Sequence, residues 1–97
     1  MPLEQILEWR SSNGGTFRTN FVDYHDATGD CPALVLVHGV GMNWRFWQPQ
    51  IDHFAKSRRV IAYDMLGHGS SSLPSADGDI GEFGEQLHFL ITHLFKS

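Results

Sequence analysis

Residues 33–44 read Ala-Leu-Val-Leu-Val-His-Gly-Val-Gly-Met-Asn-Trp, so an apolar run stops at His38-Gly39 and passes through Val40, Gly41 and Met42 toward a Trp-rich stretch. A continuous run of this kind fits a strand buried on both faces, as in parallel sheets. A strand that yields to a Gly-broken loop and then a helix presents backbone N–H groups at the carboxyl edge of a sheet. Open α/β sheets bind ligands there. Two chemistries use such donors. One is phosphate binding. The other is stabilisation of an oxyanion during acyl transfer, where losing one donor costs on the order of a hundred- to a thousandfold in rate. A dinucleotide loop needs G-x-G-x-x-G. Gly39 and Gly41 supply the first two glycines, but Trp44 fills the third place, and no Gly-Lys-Ser/Thr phosphate loop occurs. A nucleotide-binding half-domain is therefore the weaker reading.

A second cluster, Asp64-Met65-Leu66-Gly67-His68-Gly69-Ser70-Ser71-Ser72, follows the apolar stretch Arg-Val-Ile-Ala-Tyr. Its Gly67, His68 and Gly69 read as a turn at the sheet edge, and its serines as a solvated turn. His25, His53, His88 and His93 show no metal-ligand spacing, since His88 and His93 stand five apart, and no metal site is expected. Cys31 precedes Pro32 with no cation beside it to activate the thiol, so it reads as inert.

These loops need elements to hold them. Leu3, Ile6 and Leu7 fall at i, i+3, i+4, which predicts a short N-terminal helix, with residues 11–15 as turn or linker. Phe17, Thr19 and Phe21 alternate with Arg18 and Asn20, which predicts a strand over residues 16–24 with a bulge or register change near Val22. Residues 33–37 and 59–63 predict two short buried strands. Trp44, Trp47, Ile51 and Phe54 recur at helical spacing, with Pro49 tolerable only near a helix start. Ile80, Phe83, Leu87, Leu90 and Leu94 mark one face of a last helix, with Asp79 as N-cap and Glu82 completing a capping box. Strands alternating with helices predict an α/β layer fold. The expected organisation is an N-terminal helix and linker over residues 1–15, then an α/β unit over residues 16–97.

Bulk properties bound the partners. The 97 residues suit one small domain, and 41% apolar residues can build a core. The net charge is −4 and Arg58-Arg59 is the only basic pair, which argues against nucleic acid. No run is long enough to span a membrane and the acidic start is unlike a secretory signal. One cysteine excludes an internal disulfide and fits a reducing compartment, so the expected location is cytoplasmic.

The pair Leu-Val-His-Gly-Val-Gly-Met-Asn and Asp-Met-Leu-Gly-His-Gly-Ser-Ser, each after a strand and in that order, resembles the N-terminal part of the α/β-hydrolase superfamily. The nearer similarities are to compact hydrolases of the enol-lactonase, esterase and meta-cleavage-product type. The resemblance covers residues 17–95. It implies a cofactor-free mechanism on a small-molecule substrate, with a Ser nucleophile, an acid and a His. It implies that the Val40 N–H is one oxyanion donor, with His38, Gly39, Gly41 and Met42 lining the site. The family's catalytic His and acid come later in the chain. His38 is then a loop-shaping residue, and Asp64 bonds to nearby backbone N–H groups and fixes its turn.

The nucleophile motif G-x-S-x-G is missing from these residues: Gly69 is followed by three serines, but Leu73 ends the pattern. The expected fold is therefore the N-terminal part of a mostly parallel α/β-hydrolase sheet, truncated before the nucleophile strand. The expected function is part of a hydrolase acting on a small ester, a lactone or a C–C bond next to a carbonyl, with no turnover by this chain alone. A short non-catalytic interaction module of the same fold, working as a homodimer, is the alternative. In either case the strand at Leu34 to Val37 is expected to be an exposed edge through which the chain self-associates.

Overall fold

The computed structural model describes residues 3–25, 31–76 and 80–95. The N-terminal segment is a strand. β1 (Gln5–Arg10) forms an antiparallel hairpin with β2 (Thr16–Tyr24), Trp9 facing Phe17 and Leu7 facing Thr19 across the ladder. This overturns the short helix expected from Leu3, Ile6 and Leu7 and places residues 5–10 in the sheet, while residues 11–15 form the expected turn. The i, i+3, i+4 spacing was coincidental, since Leu3 and Ile6 are exposed. The informative pattern is the alternation of Leu7 and Trp9 with Glu8 and Arg10. Trp9 packs against Phe17 with ring centroids 4.9 Å apart and planes tilted by 31°, and its indole N–H donates to Thr19 Oγ1 at 2.8 Å. The turn closes with Ser11 N–H donating to the Gly15 carbonyl at 2.8 Å, and Gly14 takes φ +94°.

β2 runs without a bulge: its register is continuous from Thr16 through Tyr24 against β1 and then β4. What changes near Val22 is burial. The N-terminal half has one wet face, whereas both faces are largely covered from Thr19 onward. β3 (Leu34–Val37) leads through a loop into a 3-10 turn, Trp44–Trp47, and α1 (Gln48–Phe54), with Pro49 in its first turn as expected. β4 (Val60–Tyr63) is buried throughout, and α2 (Ile80–Leu94) closes the described chain.

The strand order is β1-β2-β4-β3. Only β3–β4 is parallel; β1–β2 and β2–β4 are antiparallel. The sheet is thus α/β in class but mixed in direction, not mostly parallel, because this portion begins with a tightly turned hairpin and only the β3–α1–β4 connection is a helical crossover. β3 lies at the edge and is half-buried, with Val37 42% exposed.

Alternation along β4 builds two layers. Val60 and Ala62 meet Trp44 and Ile51 beneath α1, while Ile61 and Tyr63 meet Phe21 and Leu90 beneath α2. Ile51 and Leu90 are fully buried, each contributing about 1.5–3 kcal/mol. α2 turns a slightly different face inward than expected. Ile80 is 86% exposed, and the fully covered positions are Glu82, Gln86 and Leu90. Asp79, the expected N-cap, lies outside the described residues. The Glu82 carboxylate accepts from Ser75 N–H and Ser75 Oγ–H, both at 2.7 Å.

Candidate functional site

The loop after β3 and the turn after β4 meet at the same end of the two parallel strands. Gly39 and Met42 bracket a β-turn closed by Met42 N–H donating to the Gly39 carbonyl at 3.2 Å. Gly41 sits at its third position with φ +85°, the left-handed value that a type II turn requires. Val40 projects outward, 86% exposed, and its N–H forms no hydrogen bond among the described residues. Met42 is 40% exposed beside it.

Two histidines clasp this turn. His38, only 3% exposed, accepts the Met65 N–H on Nε2 at 3.0 Å, so its proton is on Nδ1, which faces the Gly39 carbonyl at 2.8 Å. His68 accepts the Gly41 N–H on Nε2 at 3.0 Å, and its Nδ1–H donates to the Leu66 carbonyl at 3.0 Å. The rings lie 5.0 Å apart at 59°. Both are neutral Nδ1–H tautomers, since a ring protonated on both nitrogens has no acceptor left for a backbone amide.

Beneath them Asp64, 1% exposed, ties the pieces together. Its Oδ1 accepts the Trp44 N–H at 2.8 Å, and its Oδ2 accepts from Asn20 Nδ2 and Ser70 N–H, both at 3.0 Å. Gly69 takes φ +51°, and a Cβ there would overlap Oδ2 and Cγ of Asp64 and come within 2.7 Å of Oδ1. Gly67 also has a positive φ, +79°. The serines form a turn that is only partly solvated: Ser70 is exposed, whereas Ser71 Oγ–H donates to the Asp64 carbonyl at 2.6 Å, and Ser72 N–H donates to the Arg18 carbonyl of β2 at 2.9 Å.

Sequence reasoning missed Gln86. It is fully buried on α2, its Oε1 accepting the Leu66 N–H at 3.0 Å and its Nε2 donating to the Asp64 carbonyl at 2.9 Å and Thr19 Oγ1 at 3.1 Å. A Gln set among Phe83, Leu87 and Leu90 was the available signal. It also missed Glu4, which accepts from Trp44 Nε1 and Asn20 Nδ2 at 2.8 Å each. Those bonds, Trp44's first, hold the Glu4 carboxyl below its ordinary value.

The helix start is already satisfied. Trp44 N–H goes to Asp64, Arg45 N–H to Asn43 Oδ1 at 2.9 Å, and Phe46 N–H to the Asn43 carbonyl at 3.1 Å. A phosphate would have to displace these bonds. A cavity of about 300 Å³ lies elsewhere, between β1 and the end of α2, lined by Leu7, Trp9, Arg10, Phe89 and His93 among others. Among the described residues no cluster of three His, Cys, Asp or Glu could hold a metal ion, and no helix is long and apolar enough to cross a membrane.

Residues 32–95 match the family model of the alpha/beta hydrolase fold. The chain belongs to the α/β-hydrolase superfamily. It carries the N-terminal portion of that fold. It is 47% identical over 55 residues to an (E)-2-((N-methylformamido)methylene)succinate hydrolase of Acinetobacter baylyi, which covers 57% of this chain and 21% of that enzyme. It is 40% identical over 65 residues to 3-oxoadipate enol-lactonase 2 of the same organism, covering 67% and 24%. Among solved structures, a probable hydrolytic enzyme from Pseudomonas aeruginosa PAO1 superposes with a TM-score of 0.84 at 24% identity, over 96% of this chain and 30% of that one. That likeness extends the family fold to β1 and β2, ahead of the matched residues. The α/β-hydrolase chain thus spans about a fifth to a third of the length of these relatives.

Proposed function

We propose that this chain supplies one donor of an oxyanion hole, the Val40 N–H, to a cofactor-free hydrolase acting on a small ester, a lactone or a C–C bond next to a carbonyl. One observation carries the reading. The Val40 N–H shares a rigid trans peptide with the Gly39 carbonyl, and that carbonyl is held from two sides, by His38 Nδ1–H and Met42 N–H. Because N–H and C=O point in opposite directions across a planar peptide, anchoring the carbonyl fixes where the N–H aims. The same bonds polarise the peptide and make its N–H a better donor. A donor held in place before reaction, with no partner of its own, suits an oxygen that becomes charged only as a nucleophile attacks its carbon. Supporting the substrate class, two similar proteins are named as an enol-lactonase and a succinate-derivative hydrolase.

His38, Gly39, Gly41 and Met42 line the donor's surroundings in this reading, and Asp64, Gly67, His68 and Gly69 hold the turn behind it. The nucleophile, the acid and the base are contributed by residues other than these 97, so the chain alone is inactive. Removing a nucleophile leaves only residual catalysis even in an otherwise intact site.

The test uses Val40→Pro. Proline deletes the N–H, yet it is favoured at the second position of a type II turn, so the loop keeps its shape. The chain alone and the product of its whole reading frame are assayed on p-nitrophenyl esters and small lactones. The expected result is buffer-level hydrolysis by the chain, turnover by the longer product, and a kcat lower by about a hundred- to a thousandfold in the Pro variant. Hydrolysis by the chain alone, or a Pro variant with full kcat, overturns the proposal. A stop codon directly after Ser97 would turn the reading to the self-associating module, which the exposed β3 edge favours.

A further inference from the structure

The geometry points to His68 as a positioning residue for the Val40 donor, the second of two clamps on either side of that residue. This rests on the oxyanion reading above. Val40 sits between two peptide planes. The preceding plane is fixed through its carbonyl, which His38 holds. The following plane, Val40–Gly41, is fixed through its N–H, which His68 Nε2 accepts at 3.0 Å. Two fixed planes leave the backbone dihedrals of Val40 no freedom.

The second clamp answers a specific instability. Type I and type II turns differ by a half-rotation of their central peptide, with the third residue at negative φ in one and positive φ in the other. Glycine takes both values readily. Gly41 therefore does not select the type II form by itself, and the Cβ positions around it impose nothing, since no atom lies within 4 Å of where its Cβ would stand. The acceptor on His68 selects it. A half-rotation would turn the Val40 carbonyl toward a nitrogen lone pair and leave the Gly41 N–H without its partner. His68 can serve only as the Nδ1–H tautomer, and the Leu66 carbonyl imposes that tautomer by accepting from Nδ1. The Gly67 and Gly69 turns set the ring in place, both in left-handed conformations on either side of it. The Gly-His-Gly triplet is thus a mount for one acceptor atom, and the 5.0 Å ring contact couples it to the His38 clamp.

The experiment needs only this chain for its first part. Nitrogen-15 NMR of the His68 ring is expected to show an unprotonated Nε2 and a protonated Nδ1; a proton on Nε2 overturns the inference. Amide hydrogen exchange is then compared in His68→Phe, which keeps a ring without an acceptor, and His68→Gln, whose Oε1 reaches the place of Nε2. Gly41 exchange is expected to rise about 5- to 10-fold in the Phe variant and to return toward the parent rate in the Gln variant. Unchanged Gly41 exchange in the Phe variant overturns the clamp. In the whole reading-frame product, His68→Phe is expected to lower kcat with little change in KM, and His68→Gln to restore it. If Val40→Pro leaves kcat intact while Gly41 exchange responds, the oxyanion reading fails and the inference that His68 positions a catalytic donor falls with it, leaving only the hydrogen bond. If Val40→Pro lowers kcat but Gly41 exchange ignores His68, only the clamp fails.

Discussion

Replacing Gly69 by Ala separates what a left-handed backbone costs from what crowding the Asp64 carboxylate costs. At φ +51° an alanine pays about 1–2 kcal/mol for its backbone conformation. Its Cβ would overlap Oδ2 and Cγ of Asp64, and that carboxylate is buried and cannot swing aside freely. Moving it breaks bonds with Trp44 N–H, Ser70 N–H and Asn20 Nδ2. Hydrogen bonds to a charged group are worth about 1.5–3 kcal/mol each, so losing two brings the total to about 4–8 kcal/mol. That is comparable with the whole stability of a small domain, about 5–15 kcal/mol. Gly41→Ala is the internal control: its φ is +85°, but nothing lies within 4 Å of the new Cβ, so only the backbone cost of about 1–2 kcal/mol applies. Urea unfolding followed by tryptophan fluorescence reads both. With a urea slope of about 1–3 kcal/mol per molar, the Gly41 variant should lose about 0.3–2 M of its midpoint, and the Gly69 variant several times more or its fold altogether. Midpoints within about 0.3 M of one another would refute the view that Asp64 leaves no room at Gly69.

Other outcomes follow from the same contacts. Gln86→Leu should destabilise by about 2–4 kcal/mol in thermal or urea unfolding, because the Leu66 N–H and two acceptor oxygens lose their buried partner. The Glu4 carboxyl is held low, so the stability it adds is present above the ordinary carboxylate value and is lost as pH falls through its lowered one; Glu4→Gln should flatten that acid limb in a stability-against-pH series. Burial pushes the Tyr63 phenol up to about 12, so stability should fall as pH climbs from about 10 toward that value, and absorbance at 295 nm should show one tyrosine ionising late or with unfolding. The β3 edge should make the chain self-associate, with sedimentation showing a dimer that Val37→Lys converts to monomer.

The parts of this fold legible in the sequence are those whose signal is local. β3, β4 and the Trp-bearing helical stretch announce themselves by apolar runs or by 3.6-residue spacing. β1 does not, because three apolar residues near the terminus matched a helix by chance while the strand's alternation spanned only four residues. The His-Gly loop was visible as a place, but its hydrogen bonds were not. His38 and His68 acquire their roles from amides 27 residues away, and Gln86 from a backbone N–H and two oxygens that only assembly brings near. Spacing along a chain carries no trace of such pairings.

The buried knot around Asp64 has a consequence in time. Thr19 and Gln86 are 67 residues apart, and the Gln86 amide, which joins the Trp9 indole on the Thr19 hydroxyl, is the last of the group to be synthesised. At translation rates of about 5–20 residues per second, that wait is on the order of 3 to 13 seconds. The β1–β2 hairpin can form within about ten microseconds of its release. For something like a million hairpin-folding times the β1–β2 pair therefore lacks the helix that covers its flank, and because a lone hairpin is only marginally stable, that apolar flank is open to off-pathway association until α2 arrives.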